Sequence, residues 1–328
     1  MDMDLSVIIV SWNVRDFLKR CLESLYRYTV GIEFEVFVVD NNSYDASPDM
    51  VRQSFSQVNL IVNKDNLGFA KANNQALTFC SGRYILFLNP DTELLDNSLK
   101  LMVDFMDTHP EASAAGCKLI YSDGSLQHSC RHFPSLFTDL MEKLYLDYVF
   151  PQSPFFNFYR MGLWPHDTLR KVDVPYGACI IIRKQAIDIL GGMDERFFMY
   201  YDEIDLCYRI KQTGGSVYFI PDINIVHHAN RSSSQVSLET QQYKYRSKLL
   251  FFKKHYGMLS AWVLFINLCF NKLIVWGILW PINAIAGRRW DIGHLKSAIR
   301  IEWQEYIRFL KNRFSCHGKC DGQGAGVR

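Results

Sequence analysis

The sequence lacks both of the commonest phosphate cradles. It has neither a G-x-G-x-x-G stretch nor a P-loop, so a nucleotide would have to be held by other means. It has no repeat at a fixed period of roughly 20–50 residues, which excludes solenoids and propellers. Glycine (19) and proline (10) are at ordinary levels, which excludes collagen-like and low-complexity chains. The nine cysteines, at 21, 80, 117, 130, 179, 207, 269, 316 and 320, are odd in number and show no pairing pattern. The opening Met1-Asp2-Met3-Asp4 lacks the basic start of a signal peptide. Reduced thiols and a cytoplasmic body are expected. Cys316-His317-x-x-Cys320 offers too few donors for a tetrahedral metal site, so residues 314–328 read as a flexible tail.

What the chain does have is apolar substance and an uneven charge. Its 328 residues, 48% apolar and 21% charged, suffice for one large or two modest domains with a real core. The net charge of +2 conceals a division: residues 1–242 carry 21 Lys and Arg against 30 Asp and Glu, whereas residues 243–313 carry 13 against 3. An acidic body followed by a basic, aromatic stretch calls for an anionic partner or surface.

Apolar runs at Leu5–Val10, Phe34–Val39, Leu60–Val62 and Tyr84–Leu88 alternate with helical patterns near 14–29, 46–56, 69–80 and 96–107. Runs this apolar suit strands covered on both faces, and the β-α-β-α order predicts an open α/β sheet. Ligands in such sheets sit beyond the carboxyl ends of the strands, where the polar clusters 11–13, 40–43 and 89–91 fall. Residues 122–172, with many aromatics and four prolines, read as a variable excursion. A strand over 177–183, a helix over 184–190, a helix over 203–213 and a strand over 217–220 follow, the last ended by the turn Pro221-Asp222.

Several side chains at these positions could carry chemistry. Asp40 could accept hydrogen bonds from a nucleoside or serve as a turn residue in Asp40-Asn41-Asn42-Ser43. Asp91, after Pro90 stops the fourth strand, could hold a hard divalent cation or cap the helix near 96, which Asp96 could do better. Asn66, Gly68, Asn73, Asn74 and Gln75 could present amides and close backbone to a ribose or phosphate, or form a solvated turn with caps. Asp202-Glu203-x-Asp205 could supply a general base, since adjacent carboxylates raise each other's pKa; negative charge at a helix N-terminus is also merely stabilising. His227-His228 could bring a metal ligand or be ordinary histidines.

Taken in order, these stretches resemble the family 2 inverting glycosyltransferases, especially their rhamnosyltransferase-like branch. The carriers, spread over residues 5 to about 235, are Val7-Ile8-Ile9-Val10-Ser11-Trp12-Asn13, Val38-Val39-Asp40-Asn41-Asn42-Ser43-x-Asp45, Asn66-Leu67-Gly68-Phe69-Ala70-x-x-Asn73-Asn74 and Leu88-Asn89-Pro90-Asp91-Thr92. Later come Gly177-Ala178, Arg183, Gly191-Gly192-Met193-Asp194-Glu195, Asp202-Glu203-Ile204-Asp205-Leu206-Cys207-x-Arg209 and His227-His228. The resemblance implies a GT-A fold, a Rossmann-like, mostly parallel mixed sheet, over residues 1–240. It implies that Asp40 holds the base and that Asn13, Asn42 and Asn66 line the nucleoside site. Asp91 would be the surviving carboxylate of a D-x-D motif whose first place is taken by Asn89, holding Mg or Mn with help from His227 and the diphosphate. Glu203 aligns with the family's base; the usual Glu-Asp order is swapped here, so Asp202 stands as the second candidate.

The implied reaction moves a sugar, rhamnose among the possibilities, from a nucleoside-diphosphate donor to a saccharide or lipid-linked acceptor in cell-surface polysaccharide synthesis. No nucleic-acid partner is expected. A nucleotidyltransferase would carry a Gly-rich, basic loop where Ser11-Trp12-Asn13 stands, and a non-catalytic membrane-bound scaffold would not need the carboxylates at 40, 91, 202 and 203.

Residues 241–313 form the basic, aromatic helical region. Trp262–Trp280 is apolar except for Asn267, Asn271, Lys272 and Gly277. Lys272 near its centre would cost about 2.5–3.5 kcal/mol in a bilayer. Lys253-Lys254 and Arg288-Arg289 flank it on both sides, which fits a helix lying in the interface or a re-entrant hairpin better than a span; a buried core helix is the other reading. The expected location is the cytoplasmic face of the inner membrane, docked through 259–286.

Overall fold

The computed structural model describes residues 3–144, 146–228 and 237–274, together with 300, 303–304 and 306–308. The first half alternates as its apolar periodicity requires: β1 (Leu5–Ser11), α1 (Arg15–Tyr28), β2 (Phe34–Asp40), α2 (Ser47–Ser54), β3 (Asn59–Val62), α3 (Phe69–Leu77) and β4 (Tyr84–Leu88). β3, β2, β1 and β4 lie side by side in parallel, and every residue of β1 is buried because helices cover both faces. Next come β5 (Thr92–Leu94), α4 (Ser98–Thr108) and β6 (Ala112–Ile120). The excursion holds β7 (Leu126–Gln127), β8 (Cys130–Arg131), α5 (Leu136–Lys143), α6 (Leu146–Val149), β9 (Arg170–Lys171) and β10 (Val174–Pro175). The chain returns through β11 (Cys179–Arg183), α7 (Lys184–Leu190), α8 (Asp202–Gln212) and β12 (Ser216–His227), then α9 (Ser237–Tyr256) and α10 (Met258–Ile274). The large sheet has ten strands in the order β3-β2-β1-β4-β11-β6-β12-β5, with β7 on β6 and β9 on β12.

Two strands depart from the sequence reading. No strand was expected over 112–120, because Ala-Ser-Ala-Ala-Gly-Cys has weak strand propensity. It is nevertheless central, between β11 and β12. Small residues suit it: a Cβ on Gly116 would lie 2.4 Å from Pro175 Cβ. β12 does not stop at Pro221-Asp222. It pairs with β6 up to Ile220, opposite Cys117, and resumes at Asn224, opposite Lys118. The proline, which has no N–H to donate, falls in the bulge between them rather than in a terminating turn.

The expected boundary after residue 240 also moves. It falls inside α9, whose Tyr245, Leu249, Phe251 and Phe252 are buried in the same core as Ile204 and Leu206 of α8. Asp205, with no exposed side-chain surface, accepts hydrogen bonds from Arg209 Nε at 2.7 Å, Lys254 Nζ at 2.6 Å and His255 Nε2 at 2.7 Å. Lys248 pairs with Asp139 of α5. Much of the basic region's charge near its start is thus spent inside the fold. α10 packs through Ala261 and Leu264, and Asn267 donates to Asp139 Oδ2 at 3.2 Å. Its other side exposes Leu259, Trp262, Ile266 and Phe270, a stripe at helical spacing. Among the described residues no helix is long and apolar enough to cross a membrane, and 275–286 of the apolar run lie outside them.

A chain ending at residue 240 should therefore aggregate rather than fold, as judged by gel filtration and circular dichroism. In the full chain, Phe252→Ala should cost about 3–5 kcal/mol in denaturant unfolding. A cooperative, soluble 1–240 would show α9 to be dispensable.

Candidate active site

A cleft opens where the strand-end argument places it. It is lined by Val10 near the end of β1 and Trp12 after it, Asn41 after β2, Asn66, Gly68 and Phe69 at the start of α3, and Asn89-Pro90-Asp91 after β4, together with Tyr176-Gly177, Met199-Tyr200, Asp202-Glu203 and His227.

The donor-side residues divide into those that face this cleft and those that build it. Asp40 is 1% exposed; its Oδ2 accepts the Ser43 N–H at 2.9 Å, while its Oδ1 is buried with no hydrogen-bond partner. One oxygen thus serves the turn, as the turn reading expects; Asp40 itself is not among the residues that line the cleft. Asn66 lines the cleft and accepts the Gly68 N–H at 3.0 Å, forming a tight turn. Gly68, at φ +81°, brings the chain so close to Phe198 that a Cβ would lie 2.4 Å from its carbonyl oxygen.

Five expected amides do not line the cleft; one of them, Asn73, is buried and donates to Phe69 O at 2.9 Å. Asn74 donates to Met193 O and accepts from Met193 N, both at 2.9 Å, clamping the 192–195 loop. Gln75 is exchanged with Asn63, which also donates to Asn41. Asn13, at φ +53°, accepts the Tyr44 N–H at 2.9 Å and gives its own N–H to Ser43 Oγ, joining the ends of β1 and β2. Asn42 is exposed at φ +64°. The others brace the site, since their hydrogen bonds run to the protein's own loops and helices.

Asp91 and His227 do meet. β5 pairs with β12 so that His227 stands opposite Thr92, next to Asp91, and the His228 N–H donates to Asp91 O at 2.9 Å. His227 Nε2 lies 3.3 Å from Asp91 Oδ1. Its other nitrogen, Nδ1, lies 2.7 Å from Oε1 of Gln127 on β7. With the Nδ1–H donated to that carbonyl oxygen, Nε2 presents a lone pair to a carboxylate oxygen. Two such acceptors face each other comfortably only with a proton or a cation between them. This donor pair fits a hard divalent ion held largely by ligand oxygens. Among the described residues there is no group of three or more His, Cys, Asp or Glu able to hold a metal, so a bound diphosphate would have to complete the sphere. His228 turns away to Glu93, 2.8 Å from its Oε1.

The acidic wall is the start of α8. Tyr200 and Tyr201 precede it, both at φ +64°, a left-handed conformation that costs each roughly 1–2 kcal/mol. Burial, then the charge and hydrogen bond of Glu203, push the Asp202 carboxyl well above the usual carboxylate range. That direction favours the neutral form of Asp202, beside the Glu203 carboxyl that lines the cleft with it. Asp205, counted with them from the sequence, belongs to the ion cluster with α9 instead. Gln127 and Tyr176 carried no sequence signal, because only the pairing of distant short strands brings them here.

The family model described as "Glycosyl transferase family 2" matches residues 6–188. The chain is 29% identical over 243 residues to the N-acetylglucosaminyl-diphospho-decaprenol L-rhamnosyltransferase of Mycobacterium tuberculosis, covering 70% of this chain and 78% of that one. It is 26% identical over 235 residues to the rhamnosyltransferase WbbL of Escherichia coli, covering 69% and 84%. The mannosyltransferase PcManGT of Pyrobaculum calidifontis, solved with GDP-Man and Mn2+, superposes with a TM-score of 0.59 at 15% identity, over 94% of this chain and 88% of that one. At that identity the likeness speaks for the fold alone, a GT-A-like α/β arrangement.

Gln127→Leu should weaken Mn²⁺ binding in the presence of a nucleoside diphosphate about 10–100-fold, because His227 loses the partner that sets its tautomer. Asp91→Ala should weaken it further. Calorimetric titration reads both, and unchanged Mn²⁺-dependent affinity in Asp91→Ala would remove the cation from this pair.

Proposed function

This chain belongs to glycosyl transferase family 2, and from that premise we propose that it transfers rhamnose from a nucleoside-diphosphate donor to a hydroxyl of a lipid-linked saccharide, with inversion. The observation that carries the reading is the adjacent pair of carboxyls, Asp202 and Glu203, lining the same cleft as Asp91 and His227. The names of two relatives, both rhamnosyltransferases, support the sugar, and the decaprenol in one of them supports a lipid-linked acceptor.

Donor binding falls to the loop turned by Asn66 and Gly68. Asp91 and His227 would hold Mg or Mn, which when bound neutralises charge on the departing diphosphate. Glu203 takes the proton of the acceptor hydroxyl as its oxygen attacks the anomeric carbon from the face opposite the diphosphate. One C–O bond forms, the bond to the diphosphate breaks, and the configuration inverts. Asp202 keeps its proton throughout and orients Glu203 by donating to it.

The enzyme works, on this proposal, at the cytoplasmic face of the inner membrane. The exposed stripe Leu259, Trp262, Ile266 and Phe270 supports docking through α10, and the excess of Lys and Arg over residues 243–313 supports an anionic surface.

Glu203→Gln should lower turnover about 10²–10⁴-fold with nucleoside-diphosphate affinity intact. Asp202→Asn, which can still donate a hydrogen bond, should lose much less. The reverse order of the two losses would exchange their roles. Ile266→Glu with Phe270→Glu should reduce co-sedimentation with phosphatidylglycerol vesicles without shifting the unfolding midpoint. Equal sedimentation would remove α10 from the contact.

A further inference from the structure

Arg131 is picked out by none of the sequence motifs, yet it stands beside the base. It ends β8, opposite Val174 of β10, and its side chain is 25% exposed. Its Nη2 lies 3.7 Å from Glu203 Oε1, and its guanidinium carbon stands 5.3 Å from the centre of the Tyr176 ring, which lines the cleft. The Tyr159 side chain, from the aromatic excursion, is among the groups that act on it electrostatically. The next residue, His132, is fixed on three sides: its N–H donates to Tyr159 O at 2.9 Å, its ring stacks on Phe158 at 4.0 Å, and its Nδ1 lies 2.9 Å from Asp173 Oδ2. The arginine is therefore held in place before it meets Glu203.

We propose that Arg131 is the positioning residue of the base, steering the Glu203 carboxylate toward the acceptor hydroxyl. This rests on the reading of Glu203 as the base. At 3.7 Å the contact is too long for a hydrogen bond, so Glu203 is attracted without surrendering its lone pairs. A close bidentate pair would orient the carboxylate equally well but would occupy the oxygens that must receive the proton. Burial works against a charge on Arg131, but the neighbouring Glu203 carboxyl favours the protonated guanidinium. Around Glu203 the groups of consequence are thus Asp202 on its own helix, Arg131 from β8 and Tyr176 after β10. The Cys207 thiol one turn along α8 is pushed up by burial and stays neutral. Since Tyr159 lies in the excursion, that irregular segment reaches the chemistry through this arginine.

The test uses the full chain with dTDP-rhamnose and a short prenyl-diphospho-N-acetylglucosamine as substrates. Arg131→Met should lower kcat about 10–100-fold, as a misplaced reacting group does, with both KM values and Mn²⁺-dependent dTDP affinity within about twofold of normal. Arg131→Lys should retain most of kcat, and millimolar methylguanidinium should restore part of the loss in Arg131→Met. A raised acceptor or donor KM with normal kcat would overturn the proposal and make Arg131 a phosphate contact. A lowered unfolding midpoint without guanidinium rescue would overturn it in favour of a structural role. Glu203→Gln separates the two ideas: full turnover there means the base reading has failed, whereas an inactive Glu203→Gln beside a normal Arg131→Met means that only the role of Arg131 has.

Discussion

A carboxylate with no exposed side-chain surface holds this molecule's working parts together. Burial alone would raise Asp205 above the usual carboxylate range; hydrogen bonds from His255 and Lys254, and the charge of Arg209, reverse that and hold it below. Arg209 also donates to the carbonyls of Leu190 and Gly192, and Lys254 reaches Asp194 at 2.8 Å. One cluster thereby fastens α9, the loop after α7 and the first turns of α8. Removing one partner from a buried pair leaves an uncompensated charge and costs about 3–5 kcal/mol. The first turn of α8 is where Asp202 and Glu203 stand, so the placement of the acidic wall depends on a contact outside the cleft. The strain in Tyr200 and Tyr201 is tolerated for the same reason, because the helix they lead into is pinned at its next turn.

The other wall depends on sheet register. His227 reaches Asp91 because β5 pairs with the last residues of β12, and it presents a chosen nitrogen because the β6–β7 hairpin brings Gln127 to its far side. The two halves of the site thus come from different sources of rigidity, an ion cluster under the base and a strand ladder under the cation site. Between them the backbone of Gly68 against Phe198 ties the nucleotide-side loop to the segment that leads into α8.

The sequence was most readable where one interaction dominates. β1, β2, β4 and β11 are apolar on both faces, and nothing else looks like them. Asp91, Asn66, Gly68, Glu203 and His227 stand in short motifs, and the structure brings them to one cleft. β6 was hidden because its small residues are chosen by what packs on them, Pro175 on Gly116, and not by strand propensity. Asn13, Asn42 and Asn74 sit in the same motifs as the cleft residues but differ in direction, which a linear pattern does not encode. α9 looked like a separate region because its lysines suggested a surface; two of them, Lys248 and Lys254, instead pair with buried acids contributed by α5 and α8.

The bulge in β12 makes that strand a ruler. From Asn224 to His227 the chain alternates faces, so a shift of a single residue would put Val226 or His228 where His227 now meets Asp91. Substitutions of the exposed Asp222 can be absorbed by the bulge, but gains or losses of single residues between it and His227 cannot. Through this part of the chain, descendants of this sequence can change letters far more freely than they can change length.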